Sequence, residues 1–369
     1  MKQKLKYTLY LPIIVSLMIM TLSAQSNLDF QAELDSQLHE NIPGIMVAVI
    51  CNDKNIDWSG ASGYTDKVHN IKLLPHQTFR MASVTKTFVA STILRLWEDQ
   101  KLKLEDPIIQ FISKEHSELL IRGGYAPDKI TILHLLTHSS GLADHTHTER
   151  FHIEYIKTNH TWTRTEQLME LIHHTKPVGE IGKQFSYSDT GYILLGEIIE
   201  NITQKSLGEA IETLLDFNKL GLHSIHIEDK KGEFTADRIH QYHMDGEDTY
   251  FINPTFDLYG GGGLISSTHD LALFYKYLFE HKVFRNKSTL QRMLTPINYS
   301  EKPALDYRMG IWETEIEGVK AYTHSGFWGT QVIYIPNIQT TIAVNYSQWW
   351  GKKGIAPIIP IIVKRLLKK

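Results

Sequence analysis

The sequence predicts a mixed α/β (α+β) protein, with a sheet built from both chain ends and a mainly helical stretch inserted between them. Three observations carry this. Pro43-Gly44 leads into Ile45-Met46-Val47-Ala48-Val49-Ile50, a continuous apolar run of strand length. Tyr307 to Trp312, Val332 to Ile335 and Thr340 to Tyr346 return to strand character in the last third. Between them the apolar residues recur at helical spacing. Strands at both ends with helices between imply one sheet fed from both termini. The expected α/β part is about 25–78 and 300–369, and the helical part about 79–299.

Taken in order, the first segment reads as an address. Lys2, Lys4 and Lys6 precede an apolar run from Tyr7 to Leu22, and Ser23-Ala24-Gln25 offers small residues for cleavage. A basic start, an apolar middle and a small-residue end make a secretory signal peptide over 1–24. The run contains Pro12 and Ser16 and is short for a membrane span. The mature chain would be 25–369, periplasmic or secreted. Removing three lysines and no acid would take the formal charge from −3 to −6.

After the first strand, Asp57 to Tyr64 with Gly60 and Gly63 suits a second one. Phe79 to Lys101 then changes period, with Val84, Phe88, Leu94 and Trp97 near helical spacing. Ile130 to Thr137 and Gly191 to Glu200 read as buried helices. Ser267 with Asp270 three residues on reads as a capping box opening a helix through Phe279. At the C-terminus, Ile355 to Val363 is apolar and ends in Lys364-Arg365-Leu366-Leu367-Lys368-Lys369. It is too short to span a bilayer. Packing on the sheet is the plain expectation, and peripheral contact with a membrane surface the alternative.

Composition narrows the function classes. Of 369 residues, 42% are hydrophobic and 21% charged, an ordinary globular balance that excludes collagen, coiled coil and wholesale disorder. With 38 basic and 41 acidic residues and no long basic run, no broad positive face for nucleic acid is expected. Cys51 is the single cysteine, so neither an intramolecular disulfide nor a cysteine zinc site can form. The 19 histidines include His145 and His147 beside Asp144 and Glu149, but no zinc signature accompanies them, and a polar loop at a cleft rim is expected there. Gly260 to Gly263 lacks a following Gly-Lys-Ser/Thr, so a tight turn is expected rather than a phosphate loop. No cofactor and no metal are implied.

The residues that carry chemistry begin with Ser83-Val84-Thr85-Lys86. Residues three apart share a helix face, so Ser83 and Lys86 can meet. A serine hydroxyl needs a base to become a nucleophile. A lysine can serve if burial and neighbouring positive charge keep it neutral. Alone the pattern is weak, since Ser83 could simply cap the helix. Two further segments add to it: Tyr187-Ser188-Asp189 just before a buried helix, and His324-Ser325-Gly326 between strand-like segments.

These three elements, in this order, resemble the serine β-lactamase and penicillin-binding-protein-like hydrolase family. The likeness is to its class C β-lactamase, D-aminopeptidase, D-Ala-D-Ala carboxypeptidase and esterase branch. Arg80-Met81-Ala82-Ser83-Val84-Thr85-Lys86, Leu104-Glu105-Asp106-Pro107, Leu135-Leu136-Thr137-His138-Ser139-Ser140-Gly141-Leu142 and the glycine run extend the resemblance over nearly the whole mature chain. It implies the β-lactamase/transpeptidase-like fold, an antiparallel sheet flanked by helices. It also implies that Ser83 is acylated and that Lys86 and Tyr187 handle its proton as a coupled pair. The oxyanion would lie between the backbone N–H groups of Ser83 and Phe327, with Gly326 allowing close approach.

Two departures shape the expected activity. Asp189 replaces the branch's asparagine, and an ionised carboxylate only accepts hydrogen bonds. It could hold Lys86 protonated or receive a substrate amine. His324 replaces the lysine of true class C β-lactamases and is mostly neutral near pH 7. The expectation is an exported serine hydrolase acting on a small-molecule or peptide substrate. A D-Ala-D-Ala carboxypeptidase-like or D-amino-acid peptidase activity comes first, a carboxylesterase next, and weak β-lactamase action third. A non-catalytic cell-wall peptide sensor is the alternative from another class.

Overall fold

The computed structural model describes residues 30–368 apart from 40–41, 149, 152–159, 229–236, 244, 301–302, 304–305 and 349–355. The 1–24 signal segment therefore lies outside the described residues. An eight-stranded antiparallel sheet dominates. Its early strands are β1 (Gly44–Cys51), β2 (Ile56–Asp66) and β3 (Ile71–Lys72). Its late strands are β7 (Asp306–Tyr307), β8 (Trp312–Ile316), β9 (Val319–Gly326), β10 (Thr330–Ile335) and β11 (Thr340–Tyr346). The order is β3-β2-β1-β11-β10-β9-β8-β7, so the two chain ends meet at β1 and β11, with Ile45 opposite Tyr346 and Cys51 opposite Thr340.

Every residue of β1 is buried, because both faces of the sheet are covered. Ile45, Val47 and Val49 pack outward with Phe30, Leu34 and the C-terminal helix (Ile358–Leu367). Met46, Ala48 and Ile50 face the main core with Phe88, Ile93, Leu271 and Tyr275. A strand buried on both faces reads as an unbroken apolar run rather than an alternation. The C-terminal helix spends Ile358, Ile359, Ile362, Val363 and Leu366 on the sheet. Among the described residues no helix is long and apolar enough to cross a membrane.

The segment expected as one helix from Phe79 divides in two. Phe79 and Arg80 form β4, paired with Ser266 and Ile265 of β6 (Leu264–Ser266), which β5 (His226–Ile227) flanks on the other side. A 3₁₀ turn over Ala82–Val84 follows, and the α-helix runs Thr85–Glu98. Its residues are buried from Thr85 to Leu96, so no polar face separated it from the buried strand before it. The helix at 130–137 shortens to Ile132–Leu136, capped by Thr131, and that at 191–200 lengthens to Asp189–Thr203.

Three finer expectations also change. Ser267 Oγ accepts from Asp270 N–H at 3.2 Å, but Ser224 takes the Asp270 carboxylate through its N–H at 2.7 Å and its hydroxyl at 2.8 Å. Only half of the capping box forms at the helix Thr268–Phe279. The run 307–312 divides at a turn between β7 and β8. The stretch His324–Gly326 is the end of β9 rather than a link between strands.

Candidate active site

Ser83 sits in the 3₁₀ turn between β4 and the helix Thr85–Glu98. The turn is tight enough to hold Ala82 at φ +46°, a left-handed conformation unusual for alanine. One turn on, Lys86 is fully buried. Its Nζ donates to Ser83 Oγ at 3.0 Å and to the Gly261 carbonyl at 2.6 Å, and forms an ion pair with Asp189 Oδ1. An ammonium has three hydrogens to offer these acceptors, whereas a neutral amine has only two. Burial alone would depress the Lys86 pKa, but the Asp189 charge and Tyr187 overcome it and hold it above its ordinary value.

Tyr187 precedes the helix Asp189–Thr203, whose N-cap Ser188 accepts from Gly191 N–H at 3.3 Å and donates to the Ala143 carbonyl at 2.7 Å. These bonds fix the loop end, so Tyr187 and Asp189 reach the same point. Lys86 Nζ lies 5.0 Å from the Tyr187 ring centre and 5.6 Å from that of Tyr192. Burial raises the Tyr187 phenol to about 12, against the opposing pull of the Lys86 charge and of hydrogen bonding with Ser83.

The opposite wall is the end of β9. A Cβ on Gly326 would stand 2.1 Å from the Met81 carbonyl oxygen and 3.3 Å from Ala82 Cβ, so only glycine lets this strand end close on the Ser83 turn. The next residue, Phe327, is half-buried against Trp328, with ring centres 4.8 Å apart. His324 is buried and donates from Nδ1 to the Ser325 carbonyl at 2.9 Å. Burial, aided by the Lys86 charge, lowers its pKa to about 3, so it is neutral. It offers no fixed positive charge to a substrate carboxylate.

The structure thus gathers Ser83, Lys86, Tyr187 and Asp189 at one point, with His324, Gly326 and Phe327 along the adjoining strand end. Three neighbours of the site were not placed there from sequence, Asp144 having been expected only at a cleft rim. The Gly261 carbonyl is one, because a glycine run signals close approach without saying what approaches. Asp257 and Asp144 are the others: burial and the Asp189 charge raise them to about 7 and about 6. A Cβ on Gly262 would meet the Asp257 carboxylate at 2.2 Å, which makes that glycine the local trace of the acid.

The rim loop expected at Asp144-His145-Thr146-His147 is instead partly interior. His145 is buried with Nδ1 at 2.9 Å from Thr190 Oγ1, and Asp144 accepts from Thr146 N–H at 3.0 Å. Trp328 packs with Phe151, Trp162 and Phe256, whereas Trp349 and Trp350 fall outside the described residues.

Fold and site together set a serine hydroxyl against a buried lysine one helical turn away. The sequence model of the Beta-lactamase family matches residues 30–354, and the chain belongs to that family as a serine hydrolase. It is 25% identical over 311 residues to Penicillin-binding protein 4* of Bacillus subtilis, a match covering 78% of this chain and 64% of that protein. Protein flp of Staphylococcus aureus is 29% identical over 262 residues, covering 70% and 49%. The chain therefore spans about half to two thirds of the length of these curated relatives. Among solved structures, a D-stereospecific amidohydrolase from Streptomyces sp. superposes with a TM-score of 0.75 at 23% identity, covering 88% of this chain and 95% of that one. That likeness establishes the fold.

Proposed function

We propose that this protein hydrolyses amide bonds through an acyl-enzyme on Ser83, as a D-amino-acid peptidase or D-Ala-D-Ala carboxypeptidase-like enzyme. The observation that carries this is the buried Lys86 ammonium, paired with Asp189, which donates to Ser83 Oγ within reach of Tyr187. Because Oγ accepts from Lys86, its own hydrogen is turned toward the Tyr187 oxygen. Ionised Tyr187 takes that proton while Oγ attacks the substrate carbonyl. The oxyanion develops against the backbone N–H groups of Ser83 and Phe327. Its collapse breaks the C–N bond, and Tyr187 returns the proton to the departing amine. Water then attacks the ester carbonyl while Tyr187 takes its proton; the acyl C–Oγ bond breaks as Tyr187 passes that proton to Ser83 Oγ, and the free acid is released.

The neutral His324 is a poor partner for a β-lactam carboxylate, which places β-lactam hydrolysis last. The test is the mature protein against D-Ala-D-Ala-terminated peptides, D-amino-acid amides, p-nitrophenyl esters and a chromogenic cephalosporin. A serine-reactive phosphonate and mass spectrometry accompany the panel. Amide turnover with D-preference and a Ser83 adduct absent from Ser83→Ala is expected. A folded protein without an adduct overturns the reading, and so does faster turnover of the cephalosporin. Turnover lost in Ser83→Ala also excludes a non-catalytic sensor. Export belongs to the same proposal, and the exported protein should begin at Gln25.

A further inference from the structure

We propose that His138 is a positioning residue for Tyr187. The inference rests on the proton-transfer role given to that tyrosine above. His138 follows the short helix Ile132–Leu136 and sits at φ +53°, a left-handed conformation uncommon outside glycine in which histidine is among the better-tolerated residues. Its contacts explain why a histidine is held there. The His138 carbonyl accepts from Ser186 N–H at 2.8 Å, and its ring Nδ1 accepts from Ser188 N–H at 3.1 Å. These two bonds bracket Tyr187 on both sides along the backbone. The imidazole also lies against the phenol itself, with ring centres 4.2 Å apart and planes at 33°.

The same ring is wedged against Tyr307 at 4.6 Å and Tyr192 at 5.0 Å, so it cannot rotate without disturbing the core. Tyr192 is in turn tied down by donating to the Leu136 carbonyl at 2.9 Å. Since Nδ1 accepts, the single ring proton sits on Nε2, and the imidazole is neutral. The ring contacts of His138 and its bonds to Ser186 and Ser188 all go to Tyr187 and the residues around it, so it acts on the reaction through that tyrosine. It sets where the Tyr187 oxygen stands relative to Ser83 Oγ, and a misplacement of ~1 Å at such a site can cost ~10²-fold in rate.

Two substitutions separate this role from plain packing. His138→Asn keeps an acceptor where Nδ1 stands and tolerates the left-handed backbone, but loses the ring. His138→Phe keeps a ring but leaves Ser188 N–H without an acceptor. His138→Gln, whose carbonyl reaches too far, repeats the second test should the phenylalanine variant fold poorly. The readouts are the rate of Ser83 phosphonate labelling, kcat and KM on a p-nitrophenyl ester, and the melting temperature of the full chain. Labelling and kcat should fall ~30–100-fold in His138→Phe and His138→Gln with KM nearly unchanged, and stay within ~5-fold of wild type in His138→Asn. Wild-type rates in all variants, or rates that simply follow melting temperature, overturn the positioning role alone. A wild-type chain that takes no label overturns the functional reading and this role with it.

Discussion

Asp189→Asn tests the electrostatics of the site most directly. The carboxylate is the only anion among the three acceptors of Lys86, and the lysine is fully buried. Opposite charges about 4 Å apart interact by roughly 4 kcal/mol at an effective dielectric near 20, equivalent to about 3 pKa units. An amide of the same shape removes that attraction but not the burial. With burial left as the dominant influence, Lys86 falls from above its ordinary 10.5 to below it. A neutral amine then becomes available as a base at moderate pH. The expected pH profile of ester hydrolysis gains an ionisation between pH ~7 and ~10, above which the variant matches or exceeds wild type.

Stability supplies the independent measurement. Breaking a buried pair by removing one partner typically costs ~3–5 kcal/mol. In wild type the folded lysine pKa is raised, so its pairing is fully present below 10.5 and is lost only as pH rises beyond that. In the variant the folded pKa is depressed, the unfolded chain binds more protons, and stability rises with pH through the window below 10.5. Urea unfolding should therefore show a deficit for Asp189→Asn that is large at pH 6 and smaller at pH 9. An equal deficit at both, together with an unchanged rate profile, would refute the ammonium assignment.

Three further outcomes follow from the same geometry. Because the Tyr187 phenol stands at about 12, log kcat/KM should climb steadily from pH ~7 to ~10, and Tyr187→Phe should lose ~10²–10⁴-fold; a plateau beginning near pH 7 would contradict this. Gly326→Ala drives a methyl group to 2.1 Å from the Met81 carbonyl, so the strand end must move away from Ser83; ester kcat should drop ~10²–10³-fold, as for loss of an oxyanion donor, with the chain still folded by circular dichroism. Asp257, raised from 3.8 to about 7, makes its charged form a cost that grows as pH rises from ~4 to ~7, up to about 4 kcal/mol; Asp257→Asn should melt above wild type at pH 8, with the gap narrowing toward pH 4.

What could be read from the chain depended on the range of the interaction. The run 45–50 declared a strand because burial on both faces removes every polar residue, and that consequence is local. The boundary between β4 and the nucleophile helix was not legible for the same reason. Phe79, Met81, Val84 and Phe88 are all buried, and Arg80 is buried too, held by Glu228, Thr249 and Ile252 from far along the chain. The 3₁₀ turn holds Ala82 at a positive φ, and an alanine announces no such conformation. Ser267 looked like a reciprocal cap until Ser224, a tertiary partner, claimed its Asp270.

The site divides along the same line. Ser83 and Lys86 are three residues apart, and Gly326 must be glycine whatever the substrate, so each leaves a local mark. Lys86 could be assigned no charge from sequence, because its state is set by Gly261 and Asp189, which lie 175 and 103 positions away. His138 was legible only as part of a family-like segment, since its two bonds to 186 and 188 exist only once the Ile132–Leu136 turn is laid beside the start of the Asp189–Thr203 helix. A proton-transfer site needs its charge states fixed by buried neighbours, and buried neighbours are the contacts that sequence spacing cannot carry. The motif therefore locates the proposed nucleophile, while the tertiary partners of Lys86 and Tyr187 decide which of them holds the proton.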